Sequence, residues 1–185
     1  MIYVISDTHF NHDREFIWKI RGFKSVEEAN RTIIENWNNT VSPDDEVYML
    51  GDFFLGKDNE YVKETLAKLN GKIHLIAGNH DTPAKKAIYA SAGNVVEIVW
   101  ATQIEYKGRK FFMCHYPVLT ADLNSNPQTA VFDIFGHTHS RQKFYEDRPY
   151  MYNVACDAIH FTPVSIETIY REIEEEIQKC LSFLK

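Results

Sequence analysis

The sequence predicts an α/β protein built in layers, with at least one mixed sheet. Three observations predict this. Short, nearly continuous apolar runs recur at 2–5, 47–50, 73–77, 95–100 and 131–135, the pattern of strands covered on both faces. Helical patterns separate the early runs. The second half is mostly strand.

The elements follow in order. "SVEEANRTIIENWNNTV" opens with Ser25 and places Glu28 three positions on, a capping box. Its apolar positions Val26, Ala29, Ile33 and Trp37 share one helical face. "DNEYVKETLAKLNG" starts at a capping Asp58 and stops at Asn70-Gly71. "TPAKKAIYASAG" reads as a third helix. "TQIEYKGRKFFMCH" reads as two strands joined around Lys107-Gly108-Arg109, a hairpin, and "YMYNVACDA" as a further strand. "TADLNSNPQT", 120–129, is a surface loop. Ile166, Ile169, Ile173, Ile177 and Leu181 are three or four apart, the spacing of an amphipathic terminal helix.

The 185 residues make a single domain, 1–185, the default expectation. A chain of this size buries roughly 70% of its unfolded surface. Hydrophobic residues at 44% and charged residues at 25% fit an ordinary soluble protein. A net charge of -6 argues against indiscriminate binding to nucleic acid or anionic membranes. "MIYVISDTHF" has neither a basic nor a long apolar region of a signal peptide, and no run reaches the ~20 residues of a spanning helix, so a cytoplasmic location is expected. Cys114, Cys156 and Cys180 show no repeated spacing and read as reduced thiols, not a disulfide framework.

The polar residues are placed unevenly. Five apolar runs each end in Asp, Asn or His: Asp7 and His9, Asp52, Asn79 with His80 and Asp81, His115, and His137 with His139. Of eight histidines, only His74 and His160 lie away from these junctions. Open α/β sheets bind ligands at the carboxyl ends of their strands, and glycine before the polar residue lets the backbone approach a ligand closely. In an extended chain, positions i and i+2 face the same side, so Asp7/His9 and His137/His139 are each expected to face one point.

Seven groups (Asp7, His9, Asp52, Asn79, His115, His137, His139) exceed the needs of one four-coordinate ion. Two five- or six-coordinate ions sharing a carboxylate use them all. Imidazole with carboxylate suits Mn, Fe, Zn or Ni and disfavours thiolate-seeking metals. A lone Asp-x-His or Gly-Asp is commonly a turn or cap. Five coincident junctions are not, since each buried group without a partner costs about 1–3 kcal/mol against a total stability of about 5–15 kcal/mol.

At this point the chain resembles the calcineurin-like metallophosphoesterases, on "DTH" at Asp7, "GD" at Asp52, "GNHD" at Asn79, His80 and Asp81, "CHYP" at His115 and "GHTH" at His137 and His139. The order is the family's, and the match runs from Asp7 to His139. The "SDTHFNH" opening resembles a small bacterial or phage branch whose members are mostly of unassigned substrate. The resemblance implies a four-layer αββα sandwich with two mixed β-sheets and the site at the strand ends. It implies two divalent metal ions, with Mn2+ the leading identity. Asp7, His9, Asp52 and His139 hold one; Asp52, Asn79, His115 and His137 hold the other; Asp52 bridges them. The reaction it implies is phosphate-ester hydrolysis by a metal-bridging hydroxide, a diester in preference to a monoester. His80 protonates the leaving oxygen and, with Asn79 and His12, contacts substrate.

Alternatives stand beside this. His80 has a lesser reading as a hydrogen-bonded turn residue, and His12 reads equally as a cap, an exposed residue or an orienting neighbour. Tyr116 lines the pocket or belongs to the core. Arg141 and Lys143 attract phosphate or are solvated, and Asp157 reads as structural. One departure matters: many members carry a second Asp after Gly-Asp, and here Leu55 stands in its place. What orients His80 is therefore open, with Asp81 one candidate. A phosphomonoesterase on a small substrate, or a non-catalytic metal-binding scaffold, are the competing functions. A di-iron oxygenase is disfavoured, because such sites use Glu-x-x-His on helices. No insertion is long enough for an extended nucleic-acid cradle, so a small phosphate ester is the expected partner.

Overall fold

The computed structural model describes every residue except 57, 122–124, 127–128, 147 and 184–185. Its elements in chain order are β1 (Ile2–Ile5), α1 (Glu15–Trp18), α2 (Val26–Thr40), β2 (Glu46–Met49), α3 (Asn59–Lys68), β3 (Lys72–Ile76), α4 (Pro83–Ala90), β4 (Val95–Val99), β5 (Ala101–Tyr106), β6 (Arg109–Cys114), β7 (Val131–Phe135), β8 (Phe144–Tyr145), β9 (Arg148–Asn153), β10 (Val164–Ser165) and α5 (Ile166–Phe183).

Two five-stranded sheets form, in the orders β10-β1-β2-β3-β4 and β5-β6-β7-β9-β8. Both are mixed. In the first, β1 to β4 run parallel and β10 antiparallel on the edge. In the second, β6, β7 and β9 are parallel, flanked by antiparallel β5 and β8. This is the expected layered α/β architecture of two mixed sheets with helices. The run expected at 95–100 divides at Trp100, where the chain leaves β4 for β5 and so passes from one sheet to the other.

Local chemistry sets the elements. Ser25 Oγ accepts from Glu28 N at 3.2 Å and caps α2, while the Glu28 carboxylate returns to Lys24 N rather than to Ser25 N. Asp58 accepts from Glu60 N and Tyr61 N and caps α3. Thr82 caps α4, with Pro83 at its first turn, where a missing N–H costs nothing. The hairpin between β5 and β6 turns on Lys107 and Gly108, both at positive φ, as a two-residue turn of this twist requires. Ile33, Trp37, Ile169, Ile173 and Ile177 are buried as their spacing predicts.

Short pieces escaped the sequence reading: α1, β8 and β10 have four, two and two residues, too few for a periodicity to register. Of the loop expected at 120–129, residues 122–124 and 127–128 lie outside the described residues. The three cysteines are free thiols. No described helix is long and apolar enough to cross a membrane.

Parallel pairing brings the carboxyl ends of β1, β2 and β3 to one rim, and the β6–β7 pair does the same for the second sheet. A bridge between Ser6 and Ala155 ties the end of β1 to the segment after β9. The two rims therefore meet.

Asp133, in the middle of β7, is fully buried. Its Oδ2 accepts from Val118 N at 2.9 Å, and its Oδ1 has no partner. Burial pushes its carboxyl up to about 7, opposed only by the Val118 N–H. A carboxyl whose folded pKa exceeds its unfolded value gives stability that is complete below the unfolded value and is lost as pH rises through the folded one. The window here is about pH 4 to 7. Asp133→Asn keeps the acceptor for Val118 N and removes the charge. Its Tm should match wild type near pH 4 and exceed it at pH 8 by at least about 2–4 °C, the equivalent of about 1 kcal/mol. Parallel Tm-against-pH curves for the two proteins would contradict this.

Candidate metal centre

Asp7 and Asp52 divide their oxygens between two tasks. Asp7 Oδ2 accepts from Ser6 Oγ at 2.6 Å and from His137 N at 2.8 Å. Its Oδ1 is buried without a hydrogen-bond partner and lies 3.7 Å from His9 Nε2 and 3.5 Å from His139 Nε2. Asp52 Oδ1 accepts from His80 N at 2.8 Å. Its Oδ2 lies 3.7 Å from His9 Nε2 and 3.5 Å from His115 Nε2. Each carboxylate is thus anchored by one oxygen and presents the other to imidazole nitrogens.

Those imidazoles are oriented from behind. His115 Nδ1 donates to Leu50 O at 2.7 Å, which turns Nε2 toward Asp52. His139 Nδ1 faces Asp157 Oδ2 at 3.3 Å, which turns Nε2 toward Asp7. His9 Nε2 and His139 Nε2 are 3.1 Å apart, His137 Nδ1 and His115 Nε2 3.2 Å, and Asn79 Oδ1 and His115 Nε2 3.1 Å. Metal–nitrogen bonds of ~2.1 Å put neighbouring donors about 3.0 Å apart in an octahedron and about 3.4 Å apart in a tetrahedron. The observed spacings match the edges of such polyhedra. Two groups emerge, Asp7 with His9 and His139, and Asp52 with His115 and His137. Asp52 Oδ2 reaches toward both, because its neighbours His9 and His115 belong one to each.

All seven sequence-predicted donors therefore converge. The pairs do not face their points by extended-chain alternation, because Asp7, His9, Asp52, His137 and His139 all have positive φ, between 48° and 66°. Left-handed turns aim them, not the alternation of extended chain. The consequence is visible at the second pair: His137 and His139 do not face one point but serve different groups. Glycine does permit the close approach expected of it. A Cβ on Gly136 would lie 2.0 Å from Ser6 Oγ and 2.2 Å from Asp7 Oδ2. No side chain fits there.

The electrostatics favour cation binding. Burial alone would raise the Asp52 carboxyl, but His115, the His80 N–H and His9 outweigh it and hold it at about 2. Asp7 is likewise held low against its burial by His9, His115 and His139. Burial depresses His9 and His137, leaving neutral rings with a lone pair to give. His139 is raised, first by Asp157, and His115 is raised by Asp52 and Asp7 in spite of burial. The carboxylate field that draws protons to those two rings draws a cation equally well.

Two partners went unread in the sequence. Asp157, expected to be structural, touches His139 and also pairs with Arg21 at 2.9 Å. Arg21 donates onward to Asp7 O at 2.8 Å and Thr8 O at 3.2 Å, clasping the Asp7 turn. Arg21 and Asp157 stand 136 positions apart, so no spacing signals them. Tyr116 does line the site, with ring centroids 5.0 Å from His115 and 4.8 Å from His137. Arg141 donates to Ile20 O and Lys143 pairs with Glu172, so both have protein partners.

His80 stands at the mouth with its side chain 46% exposed and its Nε2 3.9 Å from Asp52 Oδ2. Asp81 does not orient it. The Asp81 oxygens accept from Asp52 N, Phe53 N, Gly78 N and Tyr89 Oη, bracing the β2 and β3 ends instead. His80 is held by its backbone: its N–H to Asp52, and its carbonyl to Lys85 Nζ at 3.3 Å. The His12 ring lies 6.0 Å from that of His9, outside both groups.

Comparison with known proteins agrees with this geometry. A family model, the calcineurin-like phosphoesterase superfamily domain, matches residues 1–159. An uncharacterised protein of Methanocaldococcus jannaschii is 38% identical over 182 residues, covering 94% of this chain and 92% of its own length. The Gene 66 protein of Mycobacterium phage L5 is 36% identical over 81 residues, 42% of this chain and 38% of its own. A solved protein of unknown function from Aquifex aeolicus superposes with a TM-score of 0.71 at 26% identity, covering 92% of this chain and 98% of that one. The family match over most of the chain, laid on two clusters of metal-seeking side chains at the sheet ends, makes this protein a member of the calcineurin-like phosphoesterase superfamily and a metal-dependent phosphoesterase.

Proposed function

We propose that the protein hydrolyses a small phosphodiester at a dinuclear centre, in the cytoplasm, with Mn2+ as its working metal. The observation that carries this reading is the single oxygen, Asp52 Oδ2, placed within 3.7 Å of imidazoles from both groups. Asp7, His9 and His139 hold one ion, and Asn79, His115 and His137 hold the other, with Asp52 shared. The orphaned, buried Asp7 Oδ1 fits this, since an uncompensated carboxylate oxygen in a dry site is costly. When bound, two divalent ions supply hydroxide at neutral pH and positive charge for the phosphoryl oxygens.

The chain's own residues do the rest. Two ions, two carboxylates and one hydroxide sum to about +1, so an acidic protein still attracts a phosphate ester at this point. Asn79 and His80 meet the phosphoryl group at the mouth, and His12 meets it from the far side of His9. His80, exposed beside Asp52, protonates the leaving oxygen. General acid catalysis is worth about 10²–10⁴, so His80 assists a reaction driven mainly by charge at the metal pair. A diester is the first reading, reached from the exposed side where the His80 side chain stands. A monoester is the second reading, because the +1 centre would also draw a dianion.

Three outcomes test this. Elemental analysis of Mn-reconstituted protein should give two ions per chain, and Asp52→Ala should lose at least one of them; full occupancy in the variant would refute the shared carboxylate. His80→Ala should keep both ions and lower kcat on bis(p-nitrophenyl) phosphate about 10²–10⁴-fold, and unchanged turnover would remove its acid role. Asp157→Asn should fold and weaken metal affinity roughly 10–100-fold, as loss of a group orienting a ligating histidine does, and undiminished affinity would return Asp157 to a purely structural role.

A further inference from the structure

A cavity lies beside His12. It has a volume of about 690 Å3, within the range of small-molecule sites. His12 forms the wall between it and the metal groups: its ring is 6.0 Å from His9 on one side and 6.1 Å, edge-on, from Phe16 on the other. The cavity therefore adjoins the metal groups through one lining residue, His12.

The lining is chemically specific. Phe16 is 62% exposed, a large aromatic surface presented to the cavity rather than to the core. Arg14 lines the same space. Among the described residues no carboxylate or carbonyl meets its guanidinium, whereas Arg21, Arg31, Arg109, Arg141, Arg148 and Arg171 each meet one. An unpaired planar guanidinium and an exposed ring in one lining stack on, and donate to, a flat heterocycle. Asp13 and Asp58 also line the cavity. Asp58 caps α3 through Oδ1 alone. Two carboxylates against one guanidinium disfavour a second phosphate and favour a neutral group rich in hydroxyl donors. Leu55, where other members carry an acid, adds an apolar wall and no further charge.

The cavity is braced before any ligand arrives. Asn11 N donates to Asn30 Oδ1 on α2 at 3.0 Å. On the other side Gly56 packs against Asn11 so closely that a Cβ there would lie 2.7 Å from Asn11 Nδ2 and 2.8 Å from Asn11 O. The two walls therefore touch at Asn11 and Gly56.

We infer that this cavity is the subsite for the organic half of the ester and that it takes a nucleoside. The base stacks on Phe16 and accepts from Arg14; the sugar hydroxyls donate to Asp13 and Asp58. The catalytic meaning of this assignment rests on the proposed hydrolase, but the binding does not.

Calorimetric titration with adenosine, which carries no phosphate, tests the binding directly. Wild type should bind it saturably at one site. Phe16→Ala should weaken binding about tenfold or more, as loss of a base-stacking ring does, while Phe16→Trp restores it. Inorganic phosphate, which reports on the metal groups, should bind all three proteins alike. In parallel, Phe16→Ala should lower kcat/KM about tenfold on thymidine 5′-(p-nitrophenyl) phosphate and leave methyl p-nitrophenyl phosphate unchanged. No saturable adenosine binding by wild type, or equal losses on both esters, overturns the subsite. Adenosine binding that depends on Phe16, with neither ester hydrolysed, upholds the subsite and overturns the hydrolase.

Discussion

Everything in this molecule is arranged around lone pairs forced to face one another. Two carboxylates and four imidazoles from both sheets present oxygen and nitrogen acceptors 3.1–3.7 Å apart in a largely buried setting. Five of these residues hold left-handed backbone, on the order of 1 kcal/mol each for a residue with a side chain. The summed strain is about 5 kcal/mol, comparable to the whole stability of a small domain. Such a centre survives only where its surroundings over-determine it. The Asp81 carboxylate gathers three backbone N–H groups of the β2 and β3 ends, Ser6 pins Asp7, and Arg21 clasps the Asp7 and Thr8 carbonyls.

The fold serves this constraint. Parallel strands deliver their carboxyl ends to one rim, which antiparallel hairpins would not do. Two sheets are needed because the groups come from both: Asp7, Asp52 and Asn79 follow β1, β2 and β3, while His115, His137 and His139 follow β6 and β7. The Ser6–Ala155 bridge fixes one rim against the other, and Ser6 touches Asp7 itself. A substitution at Gly136 would act on the same junction, since the Asp7 carboxylate occupies the space of its missing Cβ.

Much of this was legible in the sequence. The apolar runs marked five strands because each is long enough to show its burial, and Ser25 and Asp58 marked helix starts through chemistry confined to a few residues. The convergence of the seven side chains was legible because each lies within a few residues after a run. What stayed hidden is non-local or too short. Asp157 and Arg21 reach the centre only through the folded chain. The left-handed turns fall on Asp and His, which do not announce positive φ as glycine does, so the direction of His137 away from His139 could not be read from spacing. The role of Asp81 was also opaque, because an acid beside His80 in sequence turns inward to the strand ends in space. The His80 peptide groups are held by Asp52 on one side and Lys85 on the other, and Leu55 stands where many members carry an acid.

The central claim is that Asp52 lies between two ions. Anomalous diffraction from Mn-loaded crystals measures this most directly. The account predicts two peaks about 3.5–4 Å apart, one against Asp7, His9 and His139 and the other against Asn79, His115 and His137, with Asp52 Oδ2 touching both. A single peak, or two peaks of which only one contacts Asp52, would contradict it.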